Sequence, residues 1–398
     1  MKTEVVITGA GVACAIGVGK AACLEALRSG RSGIAPVRYL QTALKDFPVG
    51  EVPLSNAELG QLCGAPVQWS RTTLLSVCAL REALDEAGLK DGAGMFLCGG
   101  TTVGGMDVTE KNWPSYSPHH GCGATTDLAA LFVGGFDDAT TLSTACSSAA
   151  NAIILGANLL RSGKYRRVVA GGSECLSNFH LNGFHSLMIL DSEPCRPFDA
   201  TRAGLNLGEG AAYLVLETAD SARERGVRPL ARLSGFGNAC DAFHQTASSE
   251  NGEGAFLAMT KALRMSGLEA SAIDYVNAHG TGTPNNDASE SAALRRVFGS
   301  SLPPVSSTKA FTGHTTSASG SIEAVFCLLA LQEGFLPPQL NWSTPDPACV
   351  KPCCGQADAA PRHILSNAFG FGGNDSSLIF SAYEYGSVFT GRDKAGGR

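Results

Sequence analysis

Apolar residues fall in short runs along the chain, and glycine or a small polar residue closes most of them. Glu4–Thr8 reads as a strand turned by Gly9-Ala10-Gly11, and Lys20–Arg28 as a helix with Gly30 beyond its end. Trp69–Ala87 reads as a longer helix stopped by Gly88, where a left-handed residue suits glycine. Met95–Cys98, Arg167–Ala170, Ala212–Glu217 and Ala231–Gly235 read as short buried strands. A second series begins near residue 236. It holds a helix at Gly254–Ser266, a strand at Ile273–Ala278 and a helix at Ser289–Phe298, then an apolar helix at Ser317–Gln332 and strands at Ile364–Asn367 and Ser377–Ser381. Strands alternating with helices predict α/β layers with mostly parallel pairing. The two series are alike in shape without evident identity. This predicts an N-terminal half over 1–235 and a C-terminal half over 236–386. Ser387–Arg398 is polar and glycine-rich and reads as a flexible tail.

Composition narrows the classes. Of 398 residues, 44% are hydrophobic and 17% charged, which excludes a disordered chain. The length suits two to three units of about 150 residues. The net charge is −6, and no basic cluster exceeds Arg166-Arg167, which argues against nucleic acid as a partner. The longest clean apolar run, Ala324–Leu331, has eight residues, so no membrane span is expected against a need of about 20. Met1–Ile7 enters an apolar strand directly, without a signal-peptide core, which predicts a cytoplasmic chain. The 14 cysteines then read as thiols. None forms a Cys-x-x-Cys pair, and Cys349, Cys353 and Cys354 lack a fitting fourth ligand, so no metal site is expected. Gly9-Ala10-Gly11 lacks the third glycine of a dinucleotide loop. There is no P-loop, and no serine-hydrolase elbow lies near the candidate site. No bound cofactor is expected.

Three segments carry candidate chemistry. In Thr140–Ala152 a β-prone stretch runs into Cys146, and a helix follows to Ser162 with Gly163 as its stop. The neighbours of Cys146 are all small, which permits a tight strand-to-helix elbow. A helix N-terminus favours a thiolate and offers N–H groups to an oxyanion. A buried structural cysteine fits the same residues. His279 closes the strand in Tyr275–Asp287 and opens a glycine-flanked turn, and His314 follows Gly313 just before an apolar helix. Each fits a loop histidine bonded to backbone. Together with Cys146 they suggest covalent acyl transfer, which leaves several enzyme classes open.

Four motifs in order change that. Thr144-Ala145-Cys146-Ser147-Ser148, Asn277-Ala278-His279-Gly280-Thr281-Gly282-Thr283, Lys309 with Gly313-His314, and Asn367-Ala368-Phe369-Gly370-Phe371-Gly372-Gly373-Asn374 resemble β-ketoacyl-acyl carrier protein synthases, condensing enzymes of the thiolase superfamily. Arg196-Pro197-Phe198-Asp199 and Gly208-Glu209-Gly210 add a further family-like block.

The resemblance implies a five-layer α-β-α-β-α sandwich of two related halves. It implies that Cys146 takes an acyl group from the phosphopantetheine arm of an acyl carrier protein. Malonyl-carrier protein then loses CO2 and its carbanion attacks the acyl-cysteine, with His279 and His314 on the forming enolate. Lys309 is implied to orient His314. The N–H groups of Cys146 and Phe371 are implied to form an oxyanion hole, with Phe371 also a gate. Phe369, Val103, Met106, Thr281 and Thr283 are implied to bind substrate, and Asp287 and Glu290 to be structural acids. A homodimer, or a heterodimer with a non-catalytic homologue, is implied as the assembly.

The chain also departs from the family. Thr315-Thr316-Ser317-Ala318-Ser319-Gly320 stands where an aliphatic pair and Gly-Ala-Ala-Gly are usual. Leu205-Asn206-Leu207 and the stretch Ser117–Asp138 are also atypical. These departures point away from general fatty-acid elongation and toward a specialised aryl-polyene or polyketide pathway. Two alternatives accompany this reading: a thiolase-like coenzyme A enzyme, and a non-catalytic chain-length-determining subunit.

Overall fold

The computed structural model describes residues 3–354 and 358–383. The expected tail at Ser387–Arg398 lies outside the described residues. Among the described residues eleven strands form: β1 (Val5–Cys14), β2 (Gly17–Val18), β3 (Phe96–Gly100), β4 (Asp138–Leu142), β5 (Arg167–Glu174), β6 (Gly210–Thr218), β7 (Ala231–Cys240), β8 (Tyr275–Asn277), β9 (Val305–Ser306), β10 (His363–Gly370) and β11 (Asn374–Ser381). β2 pairs only with the end of β1. The others run in the order β4-β3-β5-β6-β1-β7-β11-β10-β8-β9.

That order contains a repeat. Counting the main strands of each half from its own start, β1, β3, β4, β5, β6 and β7 to β11, both halves are arranged 3-2-4-5-1. In both, the third, second and fourth strands pair parallel. In both, the fifth lies antiparallel between the fourth and the first. Pairing is therefore mixed, not mostly parallel as the strand–helix alternation predicted. In the second half the reason is local: only the turn Phe371–Gly373 separates β10 from β11, so the chain must reverse. The halves meet along a seam of two residue pairs, Val6 with Arg232 and Ile7 with Ala231. β7 runs through residue 236, and the repeat begins at the head of that strand, after the helix Ala219–Arg225.

Alternate residues of each strand face opposite layers. Val168, Ala170, Leu214 and Leu216 point inward with Tyr275, Ile364, Leu378 and Phe380 of the second half. Val169, Tyr213 and Val215 point outward under the helix Arg71–Glu86, and Val276, Leu365 and Ile379 under the helix Glu253–Ser266. Between the sheets lie two helices, Ser148–Arg161 and Ser319–Glu333, packed on each other. The first twelve residues of Ser319–Glu333 are all buried, which explains why its sequence is apolar on every side. Outer helix, sheet, paired inner helices, sheet and outer helix make the five layers. Among the described residues no helix is long and apolar enough to cross a membrane.

The two inner helices approach to backbone contact. A Cβ added at Gly320 would lie 2.8 Å from Ala150 Cβ and 2.9 Å from Ala150 N. Gly320→Val is expected to destabilise the protein by about 1–3 kcal/mol through overpacking, measured as a lowered urea midpoint. An unchanged midpoint would mean the helices stand further apart than described.

Candidate active site

Each inner helix starts in the same place within its half, after the third strand. The turn after β4 holds Cys146, and the segment after β9 holds Lys309 and His314. His279 follows β8, the second strand of its half, and the turn between β10 and β11 holds Phe371. Connections at the strand ends thus bring four distant segments to one rim.

The elbow at Cys146 is held by hydroxyls. Ala145 adopts a left-handed φ of 52°, which its single methyl tolerates at modest cost. Ser148 Oγ donates to Ala145 O at 2.6 Å and accepts from Thr144 N at 2.9 Å, while Ser147 Oγ donates to Thr144 O at 2.7 Å. Asn374 Oδ1 accepts from Asn151 Nδ2 at 2.9 Å and lies 2.9 Å from Ser147 Oγ, whose single proton serves either it or Thr144 O, which ties the elbow to the glycine-rich turn. Small neighbours are required: a Cβ on Gly100 would lie 2.7 Å from Ala149 N, and one on Gly370 3.2 Å from Cys146 N.

Cys146 Sγ lies 3.0 Å from His314 Nε2. The other ring nitrogen, Nδ1, lies 3.1 Å from Ser319 Oγ. His279 meets His314 edge to face with ring centres 5.3 Å apart, and its Nδ1 is buried without a hydrogen-bond partner. Glu290 accepts from His279 N at 2.9 Å, Gly280 N at 2.8 Å and Asn367 Nδ2 at 3.0 Å, bracing the His279 turn from behind. Asp287 accepts from Phe198 N at 2.8 Å and Gly282 N at 3.2 Å. Lys309 Nζ lies 2.5 Å from Glu323 Oε1, with both side chains buried. Among the described residues no hydrogen bond joins Lys309 to His314, whose Nδ1 lies against Ser319 Oγ. Glu323 escaped the sequence reading, though a lone carboxylate in an otherwise apolar helix was a signal for a buried partner.

Cys146, His279 and His314 open on one cavity of about 300 Å³, walled also by Thr281, Thr283, Phe369 and Phe371. Phe184 stacks on Phe371 with ring centres 5.8 Å apart and planes at 21°. Sequence reading missed Phe184, in the short helix Asn178–Ser186, and Ile189 and the segment Thr246–Ser248, in irregular stretches without periodicity; Leu205, noted only as atypical, is on the wall with them. Val103 and Met106 do not line this cavity. The N–H of Val103 donates to Glu174 at 3.3 Å, and Met106 opens the helix Met106–Asn112.

Burial sets the charge state. It pushes the Cys146 thiol up to about 12, opposed by the Lys309 ammonium and by the N–H groups of Phe371 and of Cys146 itself. The thiolate expected at a helix N-terminus is therefore not the resting form. The sulfur sits two residues before the first helical residue, Ser148, and lost hydration outweighs the dipole. Burial also drives both imidazoles well below the usual histidine range, with Lys309 adding to it in each case. The resting site thus holds a neutral thiol beside two neutral imidazoles. His314 Nε2 is placed to take the thiol proton as sulfur attacks.

The chain matches the sequence model of the beta-ketoacyl synthase N-terminal domain over residues 2–222 and that of the C-terminal domain over 230–343. Nodulation protein E of Rhizobium meliloti (strain 1021) is 36% identical over 406 residues, covering 96% of this chain and 99% of that protein. The 3-oxoacyl-[acyl-carrier-protein] synthase 2 of Synechocystis is 32% identical over 421 residues, with the same coverage. The solved structure of the ishigamide ketosynthase/chain length factor superposes with a TM-score of 0.89 at 32% identity, covering 96% of this chain and 100% of that one. With its thiol and two imidazoles on one cavity between two like halves, the chain belongs to the β-ketoacyl synthase family.

Proposed function

We propose that this protein catalyses decarboxylative Claisen condensation of malonyl-acyl carrier protein with an acyl chain held on Cys146. The contact of Cys146 Sγ with His314 Nε2 at 3.0 Å, with His279 on the same cavity, carries the reading. In the first half-reaction sulfur attacks the acyl thioester and its proton passes to His314. A new C–S bond forms, the carrier's C–S bond breaks, and the leaving thiolate recovers the proton. In the second, malonyl-carrier protein loses CO2, and His279 and His314 donate to the enolate oxygen. The enolate carbon attacks the acyl-cysteine, forming the C–C bond and breaking the C–S bond, and the released thiolate takes a proton from solvent to restore the thiol. Donors aimed at charge that grows only in the transition state give the largest gain.

The N–H groups of Cys146 and Phe371 serve the acyl oxyanion, and the ring of Phe371 gates the thiol. Thr281, Thr283 and Phe369 face the incoming phosphopantetheine arm, which the enzyme uses as substrate carrier rather than as a bound cofactor. Asp287 and Glu290 hold the His279 turn. A carrier-protein substrate matches the name of the Synechocystis relative, a 3-oxoacyl-[acyl-carrier-protein] synthase. A heterodimer with a non-catalytic homologue follows the ishigamide ketosynthase/chain length factor, with a homodimer as the other arrangement. We place the reaction in polyketide, aryl-polyene or fatty-acid assembly, in the cytoplasm, with the chain divided functionally into halves at 1–235 and 236–386. The thiolase alternative needs a second cysteine in the glycine-rich turn. That turn carries Phe369 and Phe371, and Cys146 is the only cysteine on the cavity wall among the described residues. A non-catalytic chain-length subunit has no use for a thiol so placed.

Release of labelled CO2 from malonyl-carrier protein by acyl-primed protein tests the reading, and no CO2 with no acyl adduct on Cys146 overturns it. His279→Ala is expected to lower CO2 release by about 10²–10³-fold while Cys146 still takes the acyl group. Loss of both activities together would contradict its assignment to the enolate. Cys146→Ala is expected to abolish acyl loading, read by intact-protein mass spectrometry. Because burial raises the Cys146 pKa, its neutral form persists at physiological pH. The thiolate absorbance of the parent minus that of Cys146→Ala is expected to stay flat through pH 9, where a free thiol is already titrating, and to rise only as pH approaches about 12. A step near neutral pH would show a resting thiolate.

A further inference from the structure

The run behind His314 is unusually rich in hydroxyls. Thr315, Thr316, Ser317 and Ser319 are all buried there, where the family resemblance leads one to expect aliphatic and small apolar residues. Ser317 is committed elsewhere: its Oγ donates to Glu174 Oε2 at 2.6 Å. Ser319, the first residue of the inner helix, is not. Its Oγ stands 3.1 Å from His314 Nδ1 and 3.2 Å from Thr315 Oγ1. Across the ring, Nε2 stands 3.0 Å from Cys146 Sγ. Thr315, Ser319, His314 and Cys146 thus form one continuous hydrogen-bonded line. The backbone N–H of His314 donates to Asn206 O at 2.7 Å, so the residue is also fixed from its main chain.

We propose that Ser319 is a positioning residue that holds His314 in either tautomer, so that one imidazole serves both half-reactions. This rests on the roles proposed above for Cys146 and His314. To take the thiol proton, Nε2 must be bare, and Nδ1–H then donates to Ser319 Oγ. To hold the enolate oxygen, Nε2 must carry the proton, and Nδ1 then accepts from the Ser319 hydroxyl. A hydroxyl has both a proton and lone pairs, so a single side chain meets both demands. A backbone N–H would lock one tautomer, and a methyl would support neither. Thr315 Oγ1 supplies the complementary partner as the Ser319 hydroxyl turns. Ser319 forms no covalent bond and is never ionised, and the neutral ring carries one proton in both tautomers. Lys309 paired with Glu323, and the imidazoles of His279 and His180, are the ionisable groups around the ring besides Cys146. Among the described residues none of them hydrogen-bonds to either nitrogen of His314.

The test compares the parent with Ser319→Ala and Ser319→Thr in the full chain. It reads condensation, acyl loading of Cys146, CO2 release across pH, and the ¹⁵N shifts of the His314 ring. Ser319→Ala is expected to lower the condensation kcat about five- to tenfold, the scale of one hydrogen bond, with an unchanged KM for malonyl-carrier protein. It is also expected to displace the pH profile of CO2 release and to move the His314 ring shifts. Ser319→Thr restores all three. An alanine variant with the parent's rate, profile and ring shifts overturns the proposal. Should that variant fail to fold, parent ring shifts without a hydrogen bond at Nδ1 overturn it equally. A parent that neither loads acyl groups nor releases CO2 defeats the functional reading instead. Even then the ring shifts still decide whether Ser319 holds His314.

Discussion

The close approach of the two inner helices governs the rest of the molecule. Gly320 and Ala150 leave no room for a further methyl between them, and both helices begin at the same rim. That crossing sets the distance between the residues just ahead of each helix, which are Cys146 and His314. Their 3.0 Å contact follows from backbone packing at the centre of the sandwich more than from any loop. The small residues around the two helix starts, Ser147 to Ala150 at one and Ser317 to Gly320 at the other, are the means by which the sequence permits it.

Burying the site between two sheets decides its electrostatics. Hydration is what a free thiolate or imidazolium depends on, and its loss leaves sulfur and both rings neutral. Lys309 stands beside Glu323 in this interior, and burial pushes that carboxyl up to about 7, with the lysine opposing the rise. The ammonium favours negative charge on sulfur and disfavours positive charge on either ring. Its field is therefore the right one for chemistry in which anions form briefly near neutral imidazoles. Glu290 and Asp287 act differently. Their oxygens are occupied by backbone N–H groups, which shape the His279 turn.

Much of this was legible in the chain. The small residues around Cys146 and the glycines around His279 and His314 are strong local signals, and helices such as Arg71–Glu86 and Glu253–Ser266 fell close to their predicted spans. The helix expected at Ser289–Phe298 starts earlier, at Pro284, where a proline at the first turn was a readable mark. The antiparallel fifth strands went unread for different reasons: in the second half the short turn Phe371–Gly373 forces the reversal, whereas in the first nothing in the residues of β6 announces it. The dipole argument for a Cys146 thiolate was sound locally and lost to burial supplied by segments hundreds of residues away. Ser319 was visible as a departure from the family, but its bond to Nδ1 needed the helix start in place.

Phe371 joins two tasks in one residue. Its ring lies on Phe184 while its amide faces the sulfur of Cys146. Gly372 and Gly373 beside it sit at φ of 80° and 72°, a left-handed path that a side chain would strain, so the turn that aims the amide relies on their having none. One residue thus walls the cavity with its ring and supports the sulfur with its backbone.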